Sequence, residues 1–204
     1  MTDAGPRRER RRSAAVEPSP EFLDMVEAWR ALQDDLTSAA PPPEVVAEVA
    51  NTLRGISATL RAWTVPEARQ VTGRGRLEGT LGGTQTLIPV VRLDEWSDEL
   101  VRGTVTFGRL HTGGNGAVHG GAIPLLFDNV LGRLVNSGDR PVSRTAYLHV
   151  DYRSITPVGA PLRVEARLQG AEGRKRYASG TLHHGDTLCA EARGLFVALL
   201  PHQP

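Results

Sequence analysis

A chain of 204 residues, 40% of them hydrophobic, can bury a sizeable core and suits one globular domain with an appendage. Its 24 basic and 23 acidic residues leave a net charge of +1, so bulk charge gives no argument for a nucleic-acid partner. A single cysteine, Cys189, excludes an internal disulfide framework and a cysteine-based zinc site. No apolar run approaches the ~18 residues that span a bilayer, and the arginine-rich N-terminus lacks the apolar core of a secretory signal. We expect a soluble, cytoplasmic protein with no membrane span, no metal and no cofactor. Only one basic residue is a lysine, Lys175. This excess of arginine reads as a coding bias, and it lowers the weight of any single arginine.

Residues 1–18 carry Arg7, Arg8, Arg10, Arg11 and Arg12 and almost no large apolar side chain. Such a segment cannot offset its ordering entropy by burial, so it reads as a disordered basic tail. The alternative is an anion-binding tail. Residues 19–64 read as a two-helix extension. Ser19 caps a helix that has Pro20 at its first position. Phe22, Met25, Val26, Trp29, Leu32 and Leu36 recur every three or four residues, which is one helical face. Pro41-Pro42-Pro43 breaks the pattern. Val45, Val46, Val49, Leu53, Ile56 and Leu60 repeat it in a second helix. The pair reads as a packing appendage, with a partner-binding role as the alternative.

Residues 65–204 read as the main domain. The glycines from Gly73 to Gly79 lack a phosphate-loop lysine and the dinucleotide spacing, so they form an ordinary loop. Strands are expected near 85–92 and 100–109. In the second, Val101, Gly103, Val105 and Phe107 alternate with Arg102, Thr104, Thr106 and Gly108. An apolar helix follows, then strands near 144–155, 161–170, 174–183 and 187–199, with turns at 170–173 and 184–186. One apolar helix among antiparallel strands implies an α+β fold with a sheet wrapped around a helix.

That helix is apolar on nearly its whole circumference: Ala122, Ile123, Leu125, Leu126, Phe127, Val130, Leu131, Leu134 and Val135. Such a helix is buried, and Asp128 within it is costly unless paired or used. One reading is a rim carboxylate bonded to a neighbouring loop. The other comes from the helix start. Pro124 is tolerated only in a first turn, which places that start near Gly120. Two glycines let a ligand approach free N–H groups at the positive end of the helix dipole. A carbonyl becoming an oxyanion is stabilised there. Asp128 lies about 12 Å further along by helical rise, so a second subunit would have to bring its aspartate to this glycine.

His119-Gly120-Gly121, an apolar run, Asp128 and Gly132 resemble the hot-dog-fold thioesterases. The resemblance is nearest to the PaaI-type branch and the acyl-coenzyme A thioesterases among animal thioesterase-superfamily members. The segments 145–153 (TAYLHVDYR), 172–175 (EGRK), 190–192 (AEA) and 194–197 (GLFV) resemble that branch's later strands. The resemblance covers roughly residues 85–199. It implies an acyl-coenzyme A substrate and a homodimer, or a dimer of such dimers, with sites at the subunit interface. It further implies that the Gly120 N–H polarises the thioester carbonyl, with Gly121 beside it. Asp128 of the partner would act as general base or nucleophile. Thr145 would position water or the carboxylate, and His119 would organise the helix start. For the coenzyme A phosphates the matching cations are Arg153, Arg163, Arg174 and Lys175. Thr145, Asp151 and Arg153 share strand parity and are expected on one face. Asn115 is a weak candidate in the preceding loop. Pro124 and Phe127 replace smaller residues near the helix start, which implies a different acyl pocket, and Gly132 offers no helper hydroxyl. The alternatives are an enoyl-coenzyme A hydratase or dehydratase on the same fold, or a non-catalytic acyl-coenzyme A binding module. No Gly-x-Ser-x-Gly elbow supports an α/β-hydrolase.

Overall fold

The structure, a computed structural model, describes residues 17–73, 77–200 and 203. The basic cluster of the expected tail and positions 74–76 of the glycine loop lie outside these residues. Two helices come first, α1 (Pro20–Ser38) and α2 (Pro43–Arg61). Ser19 caps α1 as its sequence predicts, accepting from the Phe22 N–H at 3.3 Å. The strands are β1 (Thr80–Leu81), β2 (Val91–Trp96), β3 (Leu100–Thr106), and a small hairpin of β4 (Thr112–Gly114) and β5 (Ala117–Val118). Helix α3 (Ala122–Val135) follows, then β6 (Ser143–Tyr152), β7 (Pro161–Glu172), β8 (Lys175–His184) and β9 (Thr187–Ala198). Among the described residues no helix is long and apolar enough to cross a membrane.

Seven strands form one antiparallel sheet in the order β1-β2-β3-β7-β8-β9-β6. It wraps α3, whose Ile123, Leu126, Phe127, Val130, Leu131, Leu134 and Val135 are all buried. Small side chains line the trough: Ala178, Gly180, Ala190, Ala192 and Gly194 alternate with outward-facing neighbours along β8 and β9. They leave room for the bulk of the helix. A Cβ on Gly180 would stand 3.0 Å from the Phe127 ring. Each fully buried leucine or phenylalanine of α3 contributes about 1.5–3 kcal/mol of transfer free energy. The sheet around a central helix is the α+β hot-dog architecture that the sequence implies.

Three expectations need correction. The strand expected over 85–92 begins only at Val91, and residues 85–90 are bends and irregular backbone. Pro89 in this stretch has no N–H to donate to a ladder. Only part of the apolar face assigned to α1 docks: Val26 is buried and Phe22 and Leu32 are half-buried, whereas Met25, Trp29 and Leu36 are exposed. Polar contacts complete the docking. One Arg30 guanidinium nitrogen reaches the carbonyls of Gly82 at 2.9 Å, Gly83 and Gln85, and Asp34 accepts from the Leu110 N–H at 2.8 Å. Gly108 admits this carboxylate, because a Cβ there would lie 2.5 Å from Asp34 Oδ2. Helix α2 has no buried residue, and Val45, Val46, Val49, Ile56 and Leu60 stand exposed.

Candidate active site

The loop before α3 is built by the β4–β5 hairpin. Asn115 and Gly116 both adopt positive φ, 50° and 73°, as a two-residue turn of type I′ requires. Asn115 is therefore explained by the turn it makes. The hairpin lies close on His119: a Cβ on Gly113 would stand 2.7 Å from His119 Cα. The His119 N–H donates to the His111 carbonyl at 2.7 Å, and the His119 carbonyl accepts from the Ala122 N–H at 2.9 Å. His119 Nδ1 accepts from the Gly121 N–H at 2.9 Å. Its imidazole is thus committed to the helix start, in keeping with an organising role. The helix begins at Ala122 with Gly121 as N-cap, so Pro124 falls in the first turn as expected. Gly120 is exposed, and its N–H has no hydrogen-bond acceptor among the described residues. Tyr152, at the end of β6, donates its hydroxyl to the Gly120 carbonyl at 2.7 Å.

Asp128 is exposed in the single protomer, so the expectation of a buried charge is corrected. The helix is not covered all round: Pro124, Leu125 and Gly132 are half-buried and flank Asp128 on the strip the sheet leaves open. Phe127 lies away from that strip, fully buried toward Gly180, and is a core residue. The Thr145 hydroxyl donates to Asp128 Oδ1 at 2.7 Å. Asp128 and Thr145 thus stand together, as do His119, Gly120 and Gly121. Their anchoring residues on β6, Thr145 and Tyr152, are about 20 Å apart at the strand rise, and Gly120 and Asp128 themselves about 12 Å apart by helical rise.

The shared parity of Thr145, Asp151 and Arg153 does not hold. The β6–β9 register slips between Thr145 and Tyr147, and such a bulge reverses which residues face inward. Thr145 therefore meets α3, as do Leu148 and Val150, which pack on the core. Asp151 belongs to an ionic cluster with His149, Arg153 and Arg193 at 3.3, 3.6 and 3.5 Å. Partial desolvation pushes the Asp151 carboxyl up. The His149 hydrogen bond and the charges of His149, Arg153 and Arg193 together outweigh it and hold the group below its ordinary value. Arg153 also pairs with Glu191 at 2.5 Å, which commits that guanidinium within the protomer.

Of the remaining cations, Arg174 donates to the Ala198 carbonyl at 3.1 Å. Arg163 and Lys175 are exposed. Arg153 and Arg163 fall at the Tyr152–Gly120 end of the sheet, Arg174 and Lys175 at the Thr145–Asp128 end. One protomer therefore does not gather all four around one ligand. Tyr152 is the contact to the candidate site that sequence reasoning missed. Its one available signal was the parity it shares with Leu148 and Val150, on the same side of the Ala146 bulge.

The helix-wrapped sheet thus carries an N–H without an acceptor among the described residues at the helix start and a carboxylate on the strip left open. Comparisons with known proteins bear on the family and the fold. The thioesterase superfamily model matches residues 115–191. A crystal structure of thioesterase superfamily protein RHA08564 superposes with a TM-score of 0.75 at 31% identity, covering 89% of this chain and 97% of that one. The chain belongs to the thioesterase superfamily. It is also 39% identical over 100 residues to acyl-coenzyme A thioesterase THEM4 of Mus musculus, across 48% of this chain and 43% of the mouse protein. It thus spans less than half the length of that curated relative. Zebra fish thioesterase superfamily member 2 shares the fold alone, with a TM-score of 0.51 at 17% identity over 53% of this chain and 81% of that one.

Proposed function

We propose that the protein is an acyl-coenzyme A thioesterase that works as a homodimer. The carrying observation is the separation of one unpaired N–H from one aligned carboxylate. The Gly120 N–H polarises the thioester carbonyl, and the partner subunit's carboxylate at position 128 activates water or attacks directly. Thr145 holds that carboxylate by one oxygen and leaves the other free. Within one chain Asp128 and Gly120 are about 12 Å apart by helical rise, while general-base catalysis needs ~3 Å.

The edge of the sheet supports the pairing. β6 is ten residues long and, among the described residues, bonds to β9 on one side alone, which leaves a ladder edge open to a second copy. Antiparallel pairing of β6 with its own copy, centred between Leu148 and His149, sets Thr145 of one subunit opposite Tyr152 of the other. That register carries each Asp128 toward the partner's Gly120. It also brings one subunit's Arg163 end beside the partner's Lys175 end, so coenzyme A phosphates would meet cations from both chains. The free, buried Cys189 suits a reducing cytoplasm.

The test is thiol release from a panel of acyl-coenzyme A esters by the wild type and by Asp128→Asn. Asparagine keeps the Oδ1 acceptor for Thr145 and removes the charge, so the fold is retained. Loss of the base lowers kcat by about 10²–10⁴-fold. Hydrolysis by the variant at the wild-type rate overturns the mechanism. Hydration of enoyl esters without thiol release would favour a hydratase, and tight binding without turnover a binding module.

A further inference from the structure

The unpaired N–H belongs to the first of two consecutive peptides, and both peptides are held. The first, His119–Gly120, is held through its oxygen, which accepts from the Ala122 N–H at 2.9 Å. The second, Gly120–Gly121, is held at both of its polar atoms. Its N–H donates to His119 Nδ1 at 2.9 Å, and its carbonyl accepts from Tyr152 Oη at 2.7 Å. Two adjacent glycines have more backbone freedom than any other pair, so without these bonds the Gly120 N–H has no fixed direction. The helix-start bonds all come from the same short stretch of chain. Tyr152 is the contact from another element, the strand β6, and ties the loop to the sheet. Its side chain reaches the glycine without crowding it: a Cβ on Gly120 would lie 3.7 Å from Tyr152 Oη.

We infer that Tyr152 is a positioning residue for thioester hydrolysis. By holding the Gly120 carbonyl it fixes the peptide plane after Gly120; together with the Ala122 bond on the plane before it, this limits rotation about the Gly120 Cα and keeps the Gly120 N–H aimed at the carbonyl oxygen of the bound thioester. This role rests on the thioesterase reading. Tyr152 itself does not touch the reacting atoms. β6 has a second consequence here, because the strand carries Thr145 toward one end and Tyr152 at the other. A single strand thus aligns the carboxylate of one site and the N–H donor of the other.

Tyr152→Phe removes the hydroxyl and keeps the ring. The residue is 54% exposed, so the fold tolerates the change. Removing an oxyanion donor outright costs about 10²–10³-fold in kcat. Loosening one by releasing a single anchor is expected to lower kcat about 10- to 100-fold, with KM within about 3-fold of wild type. A structural role alone would not divide kcat from KM in this way. A second measurement reads the clamp without turnover: ¹⁵N relaxation of the Gly120 and Gly121 amides, compared between wild type and Tyr152→Phe. Loss of order at both amides, with kcat reduced and KM kept, supports the inference. Unchanged order overturns the clamp. Lost order with unchanged kcat, or a raised KM with unchanged kcat, overturns the positioning role, the latter in favour of direct substrate contact. If the wild type hydrolyses none of the esters, the thioesterase reading fails and the positioning role with it, while the relaxation result still decides whether the clamp exists.

Discussion

Two inactive variants should restore one another if the site is shared between subunits. Asp128→Asn removes the base, and Gly120→Pro removes the N–H. A Cβ at Gly120 meets nothing nearer than 3.7 Å. Each variant alone forms dimers with two damaged sites and retains about 1% of wild-type activity or less, from losses of ~10²–10⁴-fold and ~10²–10³-fold. In an equal mixture after subunit exchange, half of the dimers are mixed. Each mixed dimer joins the Gly120 of the Asp128→Asn chain to the intact aspartate of the Gly120→Pro chain, and its second site carries both lesions. The mixture therefore recovers about a quarter of wild-type activity, as two-fold symmetry requires. The assay is thiol release from an acyl-coenzyme A ester that the wild type hydrolyses, with thermal melting to show that both variants fold. A mixture no more active than the sum of its parents, with subunit exchange demonstrated, refutes the shared site.

Gly180→Ala places a methyl 3.0 Å from the Phe127 ring and 3.2 Å from the Glu165 carbonyl; this overpacking costs about 1–3 kcal/mol. For a chain of this size that lowers Tm by roughly 2–4 °C per kcal/mol, and an unchanged melting curve would contradict the tight seating of α3. The Glu165 carboxyl is held below its ordinary value, chiefly by the Arg102 hydrogen bond and further by Arg167, against partial desolvation. A depressed carboxyl stabilises the fold above its unfolded pKa, and that stability is lost as pH falls through the folded value. Urea midpoints should therefore drop on acidification through the carboxylate range, and Glu165→Gln should make that drop shallower; equal slopes for the two proteins would argue against this ion pair.

Periodicity and residue chemistry carried much of the fold. The apolar run of α3, Pro124 in its first turn and the alternation in β3, β7, β8 and β9 are local signals. Each depends on how a few neighbouring residues fill one face of a helix or strand. Ser19 and Pro20 fixed the start of α1 in the same way. His119, Gly120, Gly121 and Asp128 were legible as candidate site residues because two glycines lead into an apolar helix that carries a charge. The exposed state of Asp128 was not legible, since an apolar sequence does not reveal which strip of its helix the sheet leaves open. Nor were the polar docking contacts of α1: Arg30 and Asp34 find backbone partners 52 and 76 residues away in sequence, contacts that exist only after folding. The one-residue bulge at Ala146 decided most. It turned Thr145 toward Asp128, set Asp151 in a separate ionic cluster, and left Tyr152 beside Gly120. Strand parity is readable from sequence only while the register is unbroken, and a bulge is settled by pairing with the neighbouring strand.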